Sequence, residues 1–376
     1  MYTVPPLFDY RRLLWVGVVK LTANFACVDW LFRGTEQFRY ITARSILVKF
    51  LYVVAVFVFV RKADDYIIYY FVSSLMWVGN ALVNIVFARK VISVSFRGLN
   101  ISRYLKPYLT LGLYAFLSSM YITFNVTYLG FATDNVQVGY YTTASKIHSI
   151  IIAFFTAFTG VMLPRMSSLL SEGRDSDFRL YISKSFNLLL LFAVPVVIFT
   201  CVAAPEIIQI LAGSGYEGAV LPARIIMPLI LIIGFEQIFV IQILMPLRCD
   251  REVLINSFAG AVLGVVLILL LVRQFKAVGS ALVWISCELL VLILASMFSR
   301  KRAGIAFPFR EMFRMILHYV PAAAVALTLE LCVGSMWLRF ALVCLWMACY
   351  TAVYVLFIKK DEIVISFINR IISYRL

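Results

Sequence analysis

The chain has 376 residues, of which 63% are hydrophobic and 14% charged, against about 45–50% apolar in an ordinary globular domain. A soluble fold cannot bury that much apolar surface without leaving large adhesive patches, so the composition points to a polytopic membrane protein and excludes disorder, a disulfide scaffold and a secreted domain. The net charge of +15, from 34 Lys and Arg against 19 Asp and Glu, belongs with cytoplasmic loops that face anionic lipid; no basic cluster sits on a separate module that would bind nucleic acid.

A membrane-crossing helix needs about 20 mostly apolar residues. Eleven stretches qualify: 12–30, interrupted by Lys20, then 41–60, 67–87, 107–128, 140–163, 183–204, 225–245, 253–272, 278–298, 313–333 and 338–357. The predicted fold class is all-α, a helical membrane bundle of about eleven spans with connections too short to hold a soluble domain. A last segment, 363–374, mixes Ile and Phe with Asn369 and Arg370; too short to span, it suits the membrane surface. The start, MYTVPPLFDYRRLLW, lacks the order of a cleavable signal.

Alternate loops differ in charge. One set carries 23 Lys and Arg, among them Arg33, Arg39, Arg44, Arg89, Arg165, Arg174, Arg248 and Arg300, and the other carries eight. One miscounted helix would scramble that bias, which predicts a cytoplasmic C-terminus and leaves the segment before Arg12 on the outer side. Six of the seven cysteines fall in apolar stretches without CxxC spacing and read as small buried hydrophobes.

Charges inside spans are costly, about 2.5–3.5 kcal/mol each on insertion scales. Lys146 lies on a stripe with Thr142, Ser145, Ser149, Ala153, Thr156 and Gly160, at helical steps of three or four. Small residues alone would serve close helix packing; the lysine favours a water-filled cavity. Glu236, deep in PLILIIGFEQIFVIQILMP, either pairs with a cation or carries a proton. Lys20 poses the same choice. Glu288 and Glu330 read as structural, Lys49 can snorkel, and His148 and His318 read as hydrogen-bonded core residues. Asn125 with Ser118 forms a second polar face, suited to a lumen. Ser257, Gly260 and Gly264 signal close helix crossing. No catalytic motif or metal-ligand spacing appears.

The stretch TDNVQVGYYTTASKIHSIIIAFFTAFTGVMLPRMSSLLSEG (Thr133–Gly173) resembles the start of the second lobe in bacterial flippases for lipid-linked O-antigen and polysaccharide repeat units. VDWLFRGTEQFRYITARSILVK (Val28–Lys49), FVRKADDYIIYY (Phe59–Tyr70) and IIMPLILIIGFEQIFVIQILMPLRCDRE (Ile225–Glu252) resemble the same polysaccharide-transporter branch. The resemblance implies two six-helix lobes closing around a cationic cavity, with two helices appended. Mapped on it, 1–106 is a partial N-terminal lobe of three helices, 107–298 the six-helix C-terminal lobe, and 299–376 two additional helices with a cytoplasmic tail. About three helices of the first lobe would then lie outside the chain, which implies a truncated product or a misassigned start.

The implied function is transfer of an undecaprenyl-diphosphate-linked oligosaccharide from the cytoplasmic to the periplasmic leaflet of the inner membrane by alternating access. Lys146 would attract the diphosphate, and Arg165 and Arg33 would capture the head group on entry. Lys20 and Asn125 complete the candidate substrate-binding set. Glu236 would exchange a proton or sodium ion, no cofactor is expected, and Asp134 and Asn135 would cap a helix. The implied partners are the lipid-linked oligosaccharide, membrane lipids, and the polymerase and glycosyltransferases of the same pathway. Other readings are a drug or cation extruder of the same fold, which wants an acidic pocket, a membrane glycan polymerase or ligase, which wants a large outer loop, and an inactive fragment.

Overall fold

The computed structural model describes residues 11–34, 37–62, 65–89 and 101–359; the surface segment expected at 363–374 lies outside them. All regular structure among the described residues is helical, an arrangement that satisfies every backbone donor and acceptor in lipid within its own segment. Among the described residues, nine helical stretches are long and apolar enough to cross a membrane. One of them, Asp250–Ala303, runs for 54 residues, about 80 Å at 1.5 Å per residue, and therefore holds two crossings of a hydrocarbon layer about 30 Å thick.

The chain divides into two compact units, Met1–Asn100 and Ile101–Leu376. The first contains α1 (Arg11–Phe25), α2 (Asp29–Gly34), α3 (Phe38–Phe59) and α4 (Tyr66–Ala88), with α4 packed against both α1 and α3. A polar knot ties α2, α3 and α4. The Arg44 guanidinium donates to Asp29 Oδ1 at 2.8 Å and to Asn84 Oδ1, while Asn84 Nδ2 donates to the same Asp29 oxygen at 2.7 Å. Arg44 is only 7% exposed, so it is an internal tie rather than the free loop charge expected from sequence. Between α3 and α4, Asp65 Oδ2 accepts from the backbone N–H groups of Arg61 and Lys62, both at 2.9 Å, which holds its carboxyl below the ordinary carboxylate range.

The second unit contains α5 (Ile101–Ala132), α6 (Asn135–Ser171), α7 (Asp175–Val202), α8 (Ala204–Ala212), α9 (Val220–Ile226), α10 (Leu229–Gln237), α11 (Asp250–Leu267), α12 (Arg273–Ala303), α13 (Phe309–Cys332) and α14 (Met336–Val353). The expected division at 106/107 falls inside α5, and α13 and α14 group with this unit. Wider π turns extend α10 over Ile238–Leu244 and α11 over Ile268–Val272. Leu189, Ile230, Phe235, Phe239, Ala281 and Cys287 lie in the core, contributed by α7, α10 with its extension, and α12.

Gly260 and Gly264 set the helix crossings. A Cβ at Gly264 would stand 2.5 Å from Tyr121 Cβ on α5, and one at Gly260 would stand 2.8 Å from Val291 Cγ2 on α12, which bears out the close crossing read from their spacing. Two ion pairs fasten the appended helices. Arg339 on α14 pairs with Glu206 on α8, and Arg224 on α9 with Glu330 on α13 at 3.0 Å. Glu330 is thus structural, as expected. The cysteines are only partly as expected: Cys249 and Cys287 are buried, but Cys332, Cys344 and Cys349 are exposed on α13 and α14, where the surrounding medium is itself apolar.

Candidate functional site

Asp134 caps α6, its Oδ1 accepting from Gln137 N at 2.9 Å. From that cap the helix runs 37 residues with Pro164 inside it, about 55 Å. Lys146 falls about 17 Å from its start, well within the apolar length, and is exposed. Ser149, Ala153, Thr156 and Gly160 of the same stripe are also exposed, and a Cβ at Gly160 would meet nothing within 4 Å. The stripe is therefore an open face of the second unit, not a dry contact within it. Among the described residues no carboxylate pairs with Lys146.

The back of the stripe is fastened by hydrogen bonds. Gln237 on α10 donates through Nε2 to Thr156 Oγ1 and accepts at Oε1 from Thr159 Oγ1, each at 3.0 Å. Its neighbour Glu236 has no cationic partner among the described residues and faces Glu288 of α12. Glu288 in turn accepts from Trp284 Nε1 at 3.0 Å, and the Trp284 ring meets the edge of His148 at 5.1 Å. His148 is 2% exposed, a core histidine as expected, packed against the Trp284 ring and the Leu229 backbone. His318 is hydrogen-bonded, Nδ1 to the Arg314 carbonyl at 2.7 Å.

The other expected site residues are dispersed. Asn125 is 0% exposed and donates to the Ser280 carbonyl at 3.0 Å and to Tyr141 Oη at 3.4 Å. This corrects the lumen reading: its amide fastens α5 to α12 and α6, because a buried amide without such partners would cost more than the packing returns. The Ser118 side chain lies outside the described residues. Arg165 is exposed, its guanidinium over the Tyr181 ring at 5.6 Å with Lys184 at 5.7 Å from the same ring. It sits about 28 Å along α6 from Lys146 and roughly a quarter-turn round the axis, so the two do not share a face. Arg33 stands in α2 and its side chain lies outside the described residues.

Lys20 belongs to a pocket within the first unit. Leu14, Gly17, Lys20, Leu21 and Asn24 from α1 and Tyr70 and Trp77 from α4 line a space of about 430 Å³. The Lys20 ammonium lies 5.5 Å from the Tyr70 ring centroid, and a Cβ at Gly17 would meet Tyr70 Oη at 3.2 Å. Sequence reading missed the aromatic half of this pocket. The seven-residue spacing of Tyr70 and Trp77 puts them on one face of α4, but nothing local says which helix they meet.

Two units of apolar helices, with lysines inside their spans that no carboxylate meets among the described residues, define a multi-pass, all-helical membrane protein. The chain belongs to the family of polysaccharide biosynthesis proteins, whose model matches residues 1–221. It is similar to a protein of Escherichia coli (strain K12) named "Putative O-antigen transporter", at 28% identity over 307 residues, which is 79% of this chain and 72% of that one. In fold it resembles the solved "Lipid II flippase MurJ, inward closed conformation", with a TM-score of 0.72 over 93% of this chain and 72% of that chain. At 12% identity this second likeness carries the fold alone.

Proposed function

We propose that the protein moves a polyprenyl-diphosphate-linked oligosaccharide from the cytoplasmic to the outer leaflet of a bacterial inner membrane by alternating access, in the service of polysaccharide or O-antigen assembly. The problem is one of solvation: the saccharide and diphosphate cannot enter hydrocarbon, whereas the polyprenyl tail can stay in it. Rigid units rocking about a polar path solve it without opening a pore. The observation that carries this reading is Lys146, exposed on a stripe of Ser, Thr and Gly, deep in a span and without a carboxylate partner among the described residues. A fixed cation in a low-dielectric setting attracts a diphosphate far more strongly than in water. Arg165 serves the cytoplasmic end and Glu236 exchanges a proton or sodium ion in the return step. Glycosyltransferases supply the substrate and a polymerase consumes it.

A drug or cation extruder would need carboxylates free to meet its cargo. Here Glu206, Glu252 and Glu330 are each taken by an arginine and Glu236 and Glu288 face each other, while the charge exposed on the α6 stripe is the Lys146 cation, which favours the anionic substrate. The test is transfer of a fluorescent polyprenyl-diphosphate saccharide between leaflets of proteoliposomes. Lys146→Ala is expected to abolish transfer and Lys146→Arg to retain it; undiminished transfer by the alanine variant rejects the role.

A further inference from the structure

We propose that the pocket between α1 and α4 is a saccharide subsite, in which Trp77 supports the neutral sugar next to the diphosphate and Lys20 holds the adjoining phosphate. This rests on the lipid-linked-saccharide reading above and adds to it a place for the sugar. Lys20 stands within the apolar span Leu13–Phe32, a position where a lone cation is costly. Its neighbour there is the Tyr70 ring face at 5.5 Å, and among the described residues no carboxylate pairs with it. A ring steadies an ammonium through its face while leaving N–H donors on the far side for a second partner.

Three features of the lining fit a sugar better than an acyl chain. Trp77 brings a broad apolar ring with an N–H at its edge, a surface matched to the flat C–H face of a pyranose. Asn24, four residues after Lys20 and so on the same side of α1, brings an amide that can both donate to and accept from hydroxyl groups; among the described residues it has no side-chain hydrogen bond. Among the described residues Lys20 is the only charged one in the lining, which suits one phosphate and a sugar that carries no charge. The volume of about 430 Å³ lies within the range of about 300–1,000 Å³ that small-molecule sites occupy. An acyl chain would leave Lys20 and Asn24 without hydrogen-bond partners, at a cost in desolvation.

The test compares two probes on the full chain in nanodiscs: undecaprenyl diphosphate, and the same lipid bearing one neutral hexose. Trp77→Ala and Asn24→Ala are expected to weaken binding of the hexose-bearing lipid by about tenfold, a loss of about 1.4 kcal/mol, and to leave the sugar-free lipid unchanged. Lys20→Ala is expected to weaken both equally. Because Asn24 is exposed, its substitution leaves folding intact and stands as a test should Trp77→Ala prove unstable. Equal loss of both probes in Asn24→Ala, or no loss of either, overturns the sugar subsite while sparing the wider reading. Failure of the unaltered protein to bind either lipid overturns both.

Discussion

Asn125 of α5 donates its side-chain amide to the backbone carbonyl of Ser280, 3.0 Å away on α12. Both residues are 0% exposed, so the Asn125 N–H group is satisfied where water cannot reach, while its Oδ1 has no hydrogen-bond partner among the described residues. Asn125→Ala is expected to destabilise the protein by about 0.5–1.5 kcal/mol, the net worth of a lost hydrogen bond, since the Ser280 carbonyl lies within α12, while residual transport at permissive temperature is preserved. Thermal unfolding in detergent, read beside a proteoliposome assay, checks this; a wild-type melting temperature with lost transport would return Asn125 to the substrate path.

The two ion pairs that hold the appended helices differ in depth, and depth decides their worth. The Glu206 side chain is 2% exposed, whereas the Arg224 side chain is 41% exposed. Arg339→Ala strands a buried carboxylate, and a loss of about 3–5 kcal/mol is expected. Arg224→Ala opens a solvent-screened pair, with an expected loss of about 0–1 kcal/mol. Parallel melting curves for the two variants separate these outcomes; equal losses would refute the ranking.

Water along the α6 stripe can be read chemically. A maleimide that does not enter lipid reacts with thiolate, a species that forms only where water reaches. In a cysteine-free background, Ser149→Cys and Thr156→Cys are expected to label quickly. Phe154→Cys, at a position 66% exposed on an apolar face, is expected to label slowly. Uniform labelling of all three would remove the distinction between a wet face and a lipid face.

Glu236 and Glu288 approach one another from α10 and α12 without a cation beside them among the described residues. Two carboxyl groups in contact hold a proton or a small cation between them. Glu236→Gln is expected to uncouple transport from an imposed proton or sodium gradient, leaving slow gradient-independent transfer. Unchanged gradient dependence in proteoliposomes would place coupling elsewhere.

Glycines mark which helix faces are closed. Gly264→Ala drives a methyl to within 2.5 Å of Tyr121 Cβ, and overpacking of this kind costs about 1–3 kcal/mol. Gly160→Ala meets open space and is expected to leave stability unchanged or raise it by up to about 1 kcal/mol, the helix preference of alanine over glycine. Melting temperatures of the two variants are expected to move apart accordingly.

The helices were legible because apolar length and charge bias are local properties. Each of the eleven predicted spans has a helical counterpart, from α1 to α14, with short α2, α8 and α9 falling largely between them. The stripe on α6 was legible for the same reason, since a period along one helix needs no knowledge of its neighbours. What could not be read is which face meets which helix. Asn125 and Lys146 are both polar residues on apolar helices, yet one is locked against Ser280 and the other lies open. The approach of Glu288 to Glu236, and of Trp77 to the Lys20 pocket, likewise depends on contacts between separate helices that carry no local signature.

The return from α11 to α12 is made almost without a loop. Lys276 takes a positive φ of 52°, and a Cβ at Gly279 would stand 2.5 Å from the Leu271 carbonyl oxygen, so the two rods touch at their junction. A hairpin with no slack cannot telescope: α11 and α12 must tilt together during any rearrangement. An epitope tag inserted at Lys276 would pry them apart, whereas most surface turns would accept one.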